Sequence, residues 1–79
     1  MPHPVAGPIT LRVFLPEIRE ATVDLLDAAG RRCRTVRVAP RGPGWQWVDL
    51  TTAGLRPGLY FVHAVQGGAE ASRKIVLLR

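Results

Sequence analysis

The sequence holds a single cysteine, Cys33, so an intrachain disulfide is excluded; metal-ligand spacing is also absent. The expected role of that thiol is a small buried hydrophobe. Long hydrophobic runs are missing too, and no stretch is long enough to span a bilayer. The opening Pro2-His3-Pro4-Val5-Ala6-Gly7-Pro8 has no apolar run and is not a signal peptide. If the domain acts outside the cytoplasm, its export leader is expected on a region ahead of it. No window of eleven residues places apolar side chains at the three-four spacing of an amphipathic helix, which leaves no site for a phosphate-binding loop that opens a helix. Acidic residues number six and histidines two. His3 lies in the proline-rich opening and His63 in an apolar stretch, neither beside an Asp, Glu or Cys. Asp24, Asp27 and Asp49 fit solvated or turn-capping positions better than acid-base pairs. A nucleophile with its base and orienter is not visible. The chain is read as a non-enzyme without metal or cofactor.

What the chain does have is punctuation and alternation. Eight glycines and seven prolines in 79 residues favour short strands and tight turns, and 47% hydrophobic residues are enough for a core. A domain this small buries about 60–65% of its unfolded surface and depends on one tight core. The strongest local signal is at the end of the chain. Gly58-Leu59-Tyr60-Phe61-Val62-His63-Ala64-Val65-Gln66, then Gly67-Gly68, then Ala69 to Arg79 read as a β-hairpin closed by a Gly-Gly pair that can adopt positive φ at both positions. Leu59, Phe61 and Val65 fall on one face of its first strand and Tyr60, Val62 and Ala64 on the other. Two apolar faces predict a place in the middle of a sheet, covered on both sides.

Residues 1–8 are expected to be an extended, unpaired, proline-rich lead-in, and 9–79 the folded domain. Ile9, Leu11, Val13 and Leu15 alternate with Thr10, Arg12 and Phe14 up to Pro16, and Ala21, Val23 and Leu25 alternate with Thr22, Asp24 and Leu26 before Asp27-Ala28-Ala29-Gly30-Arg31. That segment reads as a second hairpin turn with Gly30 in the left-handed position. From Arg32 to Val38 the phase slips at Cys33, which a one-residue bulge on an edge strand would repair. Trp45 to Leu50 is a strand whose inward face stays open. If Val48 and Leu50 point in, Trp45 and Trp47 lie outside, packed over arginine side chains or under a loop, or forming a binding platform. Thr51 to Pro57 is a crossing connection with Leu55 tucked inward. The architecture predicted is all-β, a small immunoglobulin-like β-sandwich of six or seven antiparallel strands.

Ten of the eleven basic residues are arginine, and the net charge is +5. Arg31, Arg32, Arg34 and Arg37 form the one cluster, and arginines interleaved with apolar residues are what the solvent face of a strand looks like. No base-stacking motif accompanies them, so nucleic acid is not an expected partner. The exposed-tryptophan alternative supports a different reading, an accessory sandwich for domain spacing or carbohydrate binding.

Taken together, the Asp27–Arg31 turn after an alternating strand, Gly58-Leu59-Tyr60, the Gly67-Gly68 turn and the terminal Arg73-Lys74-Ile75-Val76-Leu77-Leu78-Arg79 resemble the C-terminal sorting domain of type IX secretion cargo proteins in Bacteroidota. The likeness covers nearly the whole chain. Pro2-His3-Pro4 stands where that family carries Pro-Asn-Pro, with His in place of Asn. The resemblance implies a sandwich at the end of a larger secreted cargo, carried through the periplasm to the outer-membrane translocon and then to the cell surface or the medium. It implies a sortase-like protease as a second partner. It also assigns recognition, or the fold that presents it, to Pro2, Pro4, Gly30, Arg31, Gly58, Tyr60, Arg73, Lys74, Ile75, Val76 and Arg79. The isolated domain is expected to be a monomer.

Overall fold

The structure, a computed structural model, describes residues 3–78, and the backbone alone for residues 3–5. Period-two alternation runs through the chain from Ile9 onward, and each stretch that shows it is a strand. Among the described residues there are seven: β1 (His3–Ala6), β2 (Ile9–Leu15), β3 (Ala21–Asp27), β4 (Arg32–Val38), β5 (Gly44–Leu50), β6 (Gly58–Gln66) and β7 (Ala69–Leu78). They form a five-stranded sheet in the order β1-β7-β6-β3-β4 and a two-stranded sheet of β2 with β5. The fold is all-β, a small and lopsided sandwich. Neighbouring strands are antiparallel except β1 and β7, which run parallel.

The two layers meet where inward residues interdigitate: Ile9 of β2 and Val48 and Leu50 of β5 pack onto Val23 and Leu25 of β3, Tyr60 and Val62 of β6, and Ile75 and Leu77 of β7. Leu25 is fully buried, and removing such a side chain from water stabilises the fold by about 1.5–3 kcal/mol. Val48 and Leu50 therefore settle the face that alternation alone left open, and both tryptophans lie outside.

Three expectations need correction. Residues 3–6 are not part of an unpaired lead-in, because β1 pairs with β7 from His3↔Ile75 to Ala6↔Leu78. A proline is acceptable there because β1 is an edge strand, where its missing N–H can face outward. Strand β6 is central in its sheet, as expected, yet only one of its faces is covered. Tyr60, Val62 and Ala64 are buried, whereas Leu59 is 37% exposed and Phe61 and Val65 are half-buried, since the two-stranded layer lies on one side only. The Gly-Gly turn uses positive φ at its first position, Gly67 (φ 58°), and not at Gly68. That is the type II′ pattern, whose twist matches the flanking strands.

The bulge falls where the phase slip placed it. Leu25 faces Arg34 and Leu26 faces Arg32, leaving Cys33 as the extra residue of edge strand β4. The extra residue turns the thiol toward the core, where it is half-buried rather than buried. Leu55 also packs half-buried on the core, closing the connection between β5 and β6. At the far end of β6, Gln66 is 2% exposed and staples the 16–20 loop. Its Nε2 donates to the carbonyls of Glu17 (2.8 Å) and Arg19 (2.7 Å), and its Oε1 accepts from the Glu17 N–H (3.0 Å).

Candidate recognition surface

Strand register converts residues scattered through the sequence into one region. Asp27, which opens the β3–β4 turn, pairs with Tyr60 of β6, and Tyr60 pairs with Ile75 of β7. Gly58 pairs with Leu77, and Leu77 pairs with Val5 of β1. The Gly30-Arg31 turn, the Gly58–Tyr60 entrance to β6 and the last residues of β7 thus share one end of the large sheet.

Each part of that end has a local cause. The turn is built by Asp27, whose Oδ1 accepts the N–H groups of Ala29 and Arg31, both at 2.9 Å, while Oδ2 receives the Arg31 Nε at 2.9 Å. The backbone closes it with Asp27 N–H to the Arg31 carbonyl and Gly30 N–H to the Asp27 carbonyl, with Gly30 at φ 84°. The Arg31 N–H bond, followed by the Arg31 side chain, the Ala29 N–H and the nearby positive charge, holds the Asp27 carboxyl below its ordinary pKa against an opposing desolvation. Gly58 enters β6 at φ 149°, a conformation that L side chains rarely adopt. Tyr60 follows with its ring in the core, and its hydroxyl donates to the Arg56 carbonyl at 2.6 Å. A tyrosine near a strand entrance that bonds the backbone just upstream is the corner device of immunoglobulin-like sandwiches.

Along β7 the expected recognition residues separate by parity. Ile75 is buried against Tyr60, and Val76 is half-buried between Leu59 of β6 and Pro4 of β1. Arg73 shares the Ile75 face, opposite Val62, and Lys74 lies outside opposite Phe61, with its ammonium 6.0 Å from the ring centroid. The structure therefore brings together Pro4, Gly58, Tyr60 and residues 73–76 on three adjacent strands, with Gly30 and Arg31 at their end. Pro2 and Arg79 lie outside the described residues.

Several partnerships are invisible to local sequence reading. Asp24, expected to be solvated, is 8% exposed; its Oδ1 accepts from the Thr35 hydroxyl at 2.7 Å and lies 3.5 Å from the Arg32 Nε. His63 has no acidic neighbour in sequence, but the hairpin brings Glu70 Oε1 within 3.1 Å of its Nε2. Arg34, in the arginine cluster, reaches the Cys33 and Ala53 carbonyls and ties β4 to the 51–57 connection. On the outer face of the small sheet, the Arg12 guanidinium lies 4.7 Å from the Trp45 ring centroid and 5.7 Å from that of Trp47, and Phe14 meets Trp45 edge-on at 5.4 Å. The tryptophans are exposed but packed over an arginine. Among the described residues no group of three or more His, Cys, Asp or Glu is placed to hold a metal ion, and no helix is long and apolar enough to cross a membrane.

The model of the family described as "Secretion system C-terminal sorting domain" matches residues 1–78. The chain belongs to that family. It is a sorting domain, the C-terminal signal for type IX secretion, which makes it the tail of a cargo protein exported toward the cell surface or the medium. A comparison with curated proteins yields no match. The residues that the sequence resemblance singled out thus coincide with structural devices. Gly30-Arg31 closes a turn, Gly58 and Tyr60 form a strand entrance with its corner, and Ile75 and Leu77 anchor the final strand in the core.

Proposed function

We propose that the type IX machinery reads this sorting domain at the shared end of its large sheet, through Gly30, Arg31, Gly58 and the β7 residues that Tyr60 anchors. The observation that carries the reading is convergence: segments 33 and 15 residues apart in the chain meet there through the Asp27–Tyr60–Ile75 register. Gly58, Tyr60, Ile75 and Val76 supply the fold that presents the surface, while Arg31, Arg73 and Lys74 supply exposed or partly exposed cationic groups. The cargo crosses the periplasm to an outer-membrane translocon, and a sortase-like protease acts on the delivered protein. Pro2 and Arg79 belong to the same proposed set on sequence grounds.

A fusion of a signal peptide, a fluorescent protein and residues 1–79, produced in a type IX-competent bacterium, tests this. Export of the parent fusion is expected, with periplasmic retention after Arg31→Gln combined with Lys74→Glu; the first change gives up only the exposed side-chain ion pair with Asp27 and keeps the Arg31 N–H bond to it, so the purified domain still melts cooperatively. Unchanged export of a folded double variant would remove this end of the sheet as the surface that is read.

A further inference from the structure

Strand β7 is ten residues long, yet β1 covers only its last four, Ile75–Leu78. Residues 69–74 are all exposed, and among the described residues no strand pairs with the edge of β7 there. We propose that the polypeptide joining this domain to its cargo continues the line of β1 upstream and pairs, parallel and in register, with that open stretch. The proposal takes from the sorting-domain reading only that a cargo precedes the domain.

Hydrogen-bond phase supports it. A two-residue turn is flanked by a pair that exchanges both backbone bonds, here Gln66 and Ala69. Alternation then directs the N–H and C=O of Ala69, Ala71 and Arg73 toward β6 and turns those of Glu70, Ser72 and Lys74 outward. The same count leaves Val76 and Leu78 facing β1, where the bonding partners in a parallel ladder are His3 and Val5 and the odd one out is Pro4. Pro4 has no N–H to give, so its outward position costs no bond. A strand that extends the ladder upstream meets Lys74, Ser72 and Glu70 in the phase already set by His3 and Val5. The established pairing needs no shift to grow.

Shape agrees with phase. A groove of about 860 Å³ lies between β2 and the β6–β7 hairpin. Its floor carries small side chains, Ala64 of β6 and Ala69 and Ala71 of β7, which leave room over this face for the inward side chains of one more strand beside β7. The two-stranded layer is too narrow to cover this flank of a five-stranded sheet. An open edge is otherwise an aggregation template, and a cargo linker occupying it would protect it.

Site-resolved hydrogen exchange tests the pairing, on the 79-residue chain and on the same chain carrying the residues that precede it in its cargo. The short chain is expected to show rapid exchange at Glu70 and Ser72 and slow exchange at Ala71 and Arg73. In the longer chain the two fast amides are expected to slow by about tenfold or more, independently of protein concentration. Two amides that stay fast would overturn the proposal. So would protection that rises with concentration, because it would mean that a second copy fills the edge. Export of the same two chains is scored separately: lost export with slowed amides removes the sorting reading and leaves the pairing standing.

Discussion

Asp27 shows how much one side chain organises. It accepts two backbone N–H groups and an arginine, and its pKa lies below the ordinary value in the folded state. A carboxyl with a depressed folded pKa contributes stability that is complete above its unfolded value and lost as pH falls through the folded one. Asp27→Asn should therefore lower the melting temperature at neutral pH, and the difference from the parent should shrink as acidity passes below the carboxylate range. A constant difference across that range would show that the charge is irrelevant to the turn. Tyr60→Phe removes the hydroxyl bond to Arg56 and keeps the ring, so a loss of about 0.5–1.5 kcal/mol in urea unfolding is expected. Gln66 has more at stake. Gln66→Leu keeps the volume but leaves the Glu17 N–H and the Glu17 and Arg19 carbonyls without their partner, and a loss of about 2–5 kcal/mol is expected in the same measurement. That residue carried a signal in the sequence, since Gln66 shares its strand parity with Tyr60, Val62 and Ala64, and a polar group at an inward position needs partners.

Strands β5 and β6 show what alternation can and cannot decide. In β5 the period was plain but both faces held large apolar groups, and only the packing of Val48 and Leu50 under β3 and β6 resolved the choice. Leu50→Ala should cost about 2–5 kcal/mol, whereas Trp47→Ala, at a ring 70% exposed, should cost less than about 1 kcal/mol. Paired denaturation curves of the two variants check the assignment; similar losses would reverse the inward face. The β4 bulge was legible because Cys33 broke a countable phase. The partners of Asp24 and His63 were not, because cross-strand neighbours depend on register, and register is fixed by turns and the core rather than by adjacent residues. Gly67 sets the register of the last hairpin. Gly67→Ala would place a Cβ 2.9 Å from the Arg19 Nη1 at a φ of 58°, and a loss of about 1–2 kcal/mol is expected for the left-handed conformation.

For the molecule as a whole, composition and punctuation were enough to predict a small all-β sandwich, while the unequal layers were not foreseen. Nothing in the period of a strand says how many strands lie opposite it. The motifs that resembled a sorting domain were readable as a series, but their convergence at one end needed the pairing of β3, β6 and β7. The proline-rich opening reads as a lead-in because prolines favour extended, unpaired backbone, and an edge position admits such a segment to a ladder.

That parallel ladder between β1 and β7 joins His3 to Ile75, a bridge across almost the entire length of the chain. Such distant contacts are slow to form, since most of the intervening polypeptide must be ordered to close them. An emerging chain can assemble the β3–β4 hairpin alone, but β1 has no partner and β6 lacks one of its two until Ala69–Leu78 has been synthesised. A version terminated before Ala69 should show no cooperative melting by circular dichroism. A native-like transition in that fragment would mean the final strand is dispensable. Folding of this domain is thus a readout of translation having run to its last strand, and a prematurely ended cargo would carry no assembled tag.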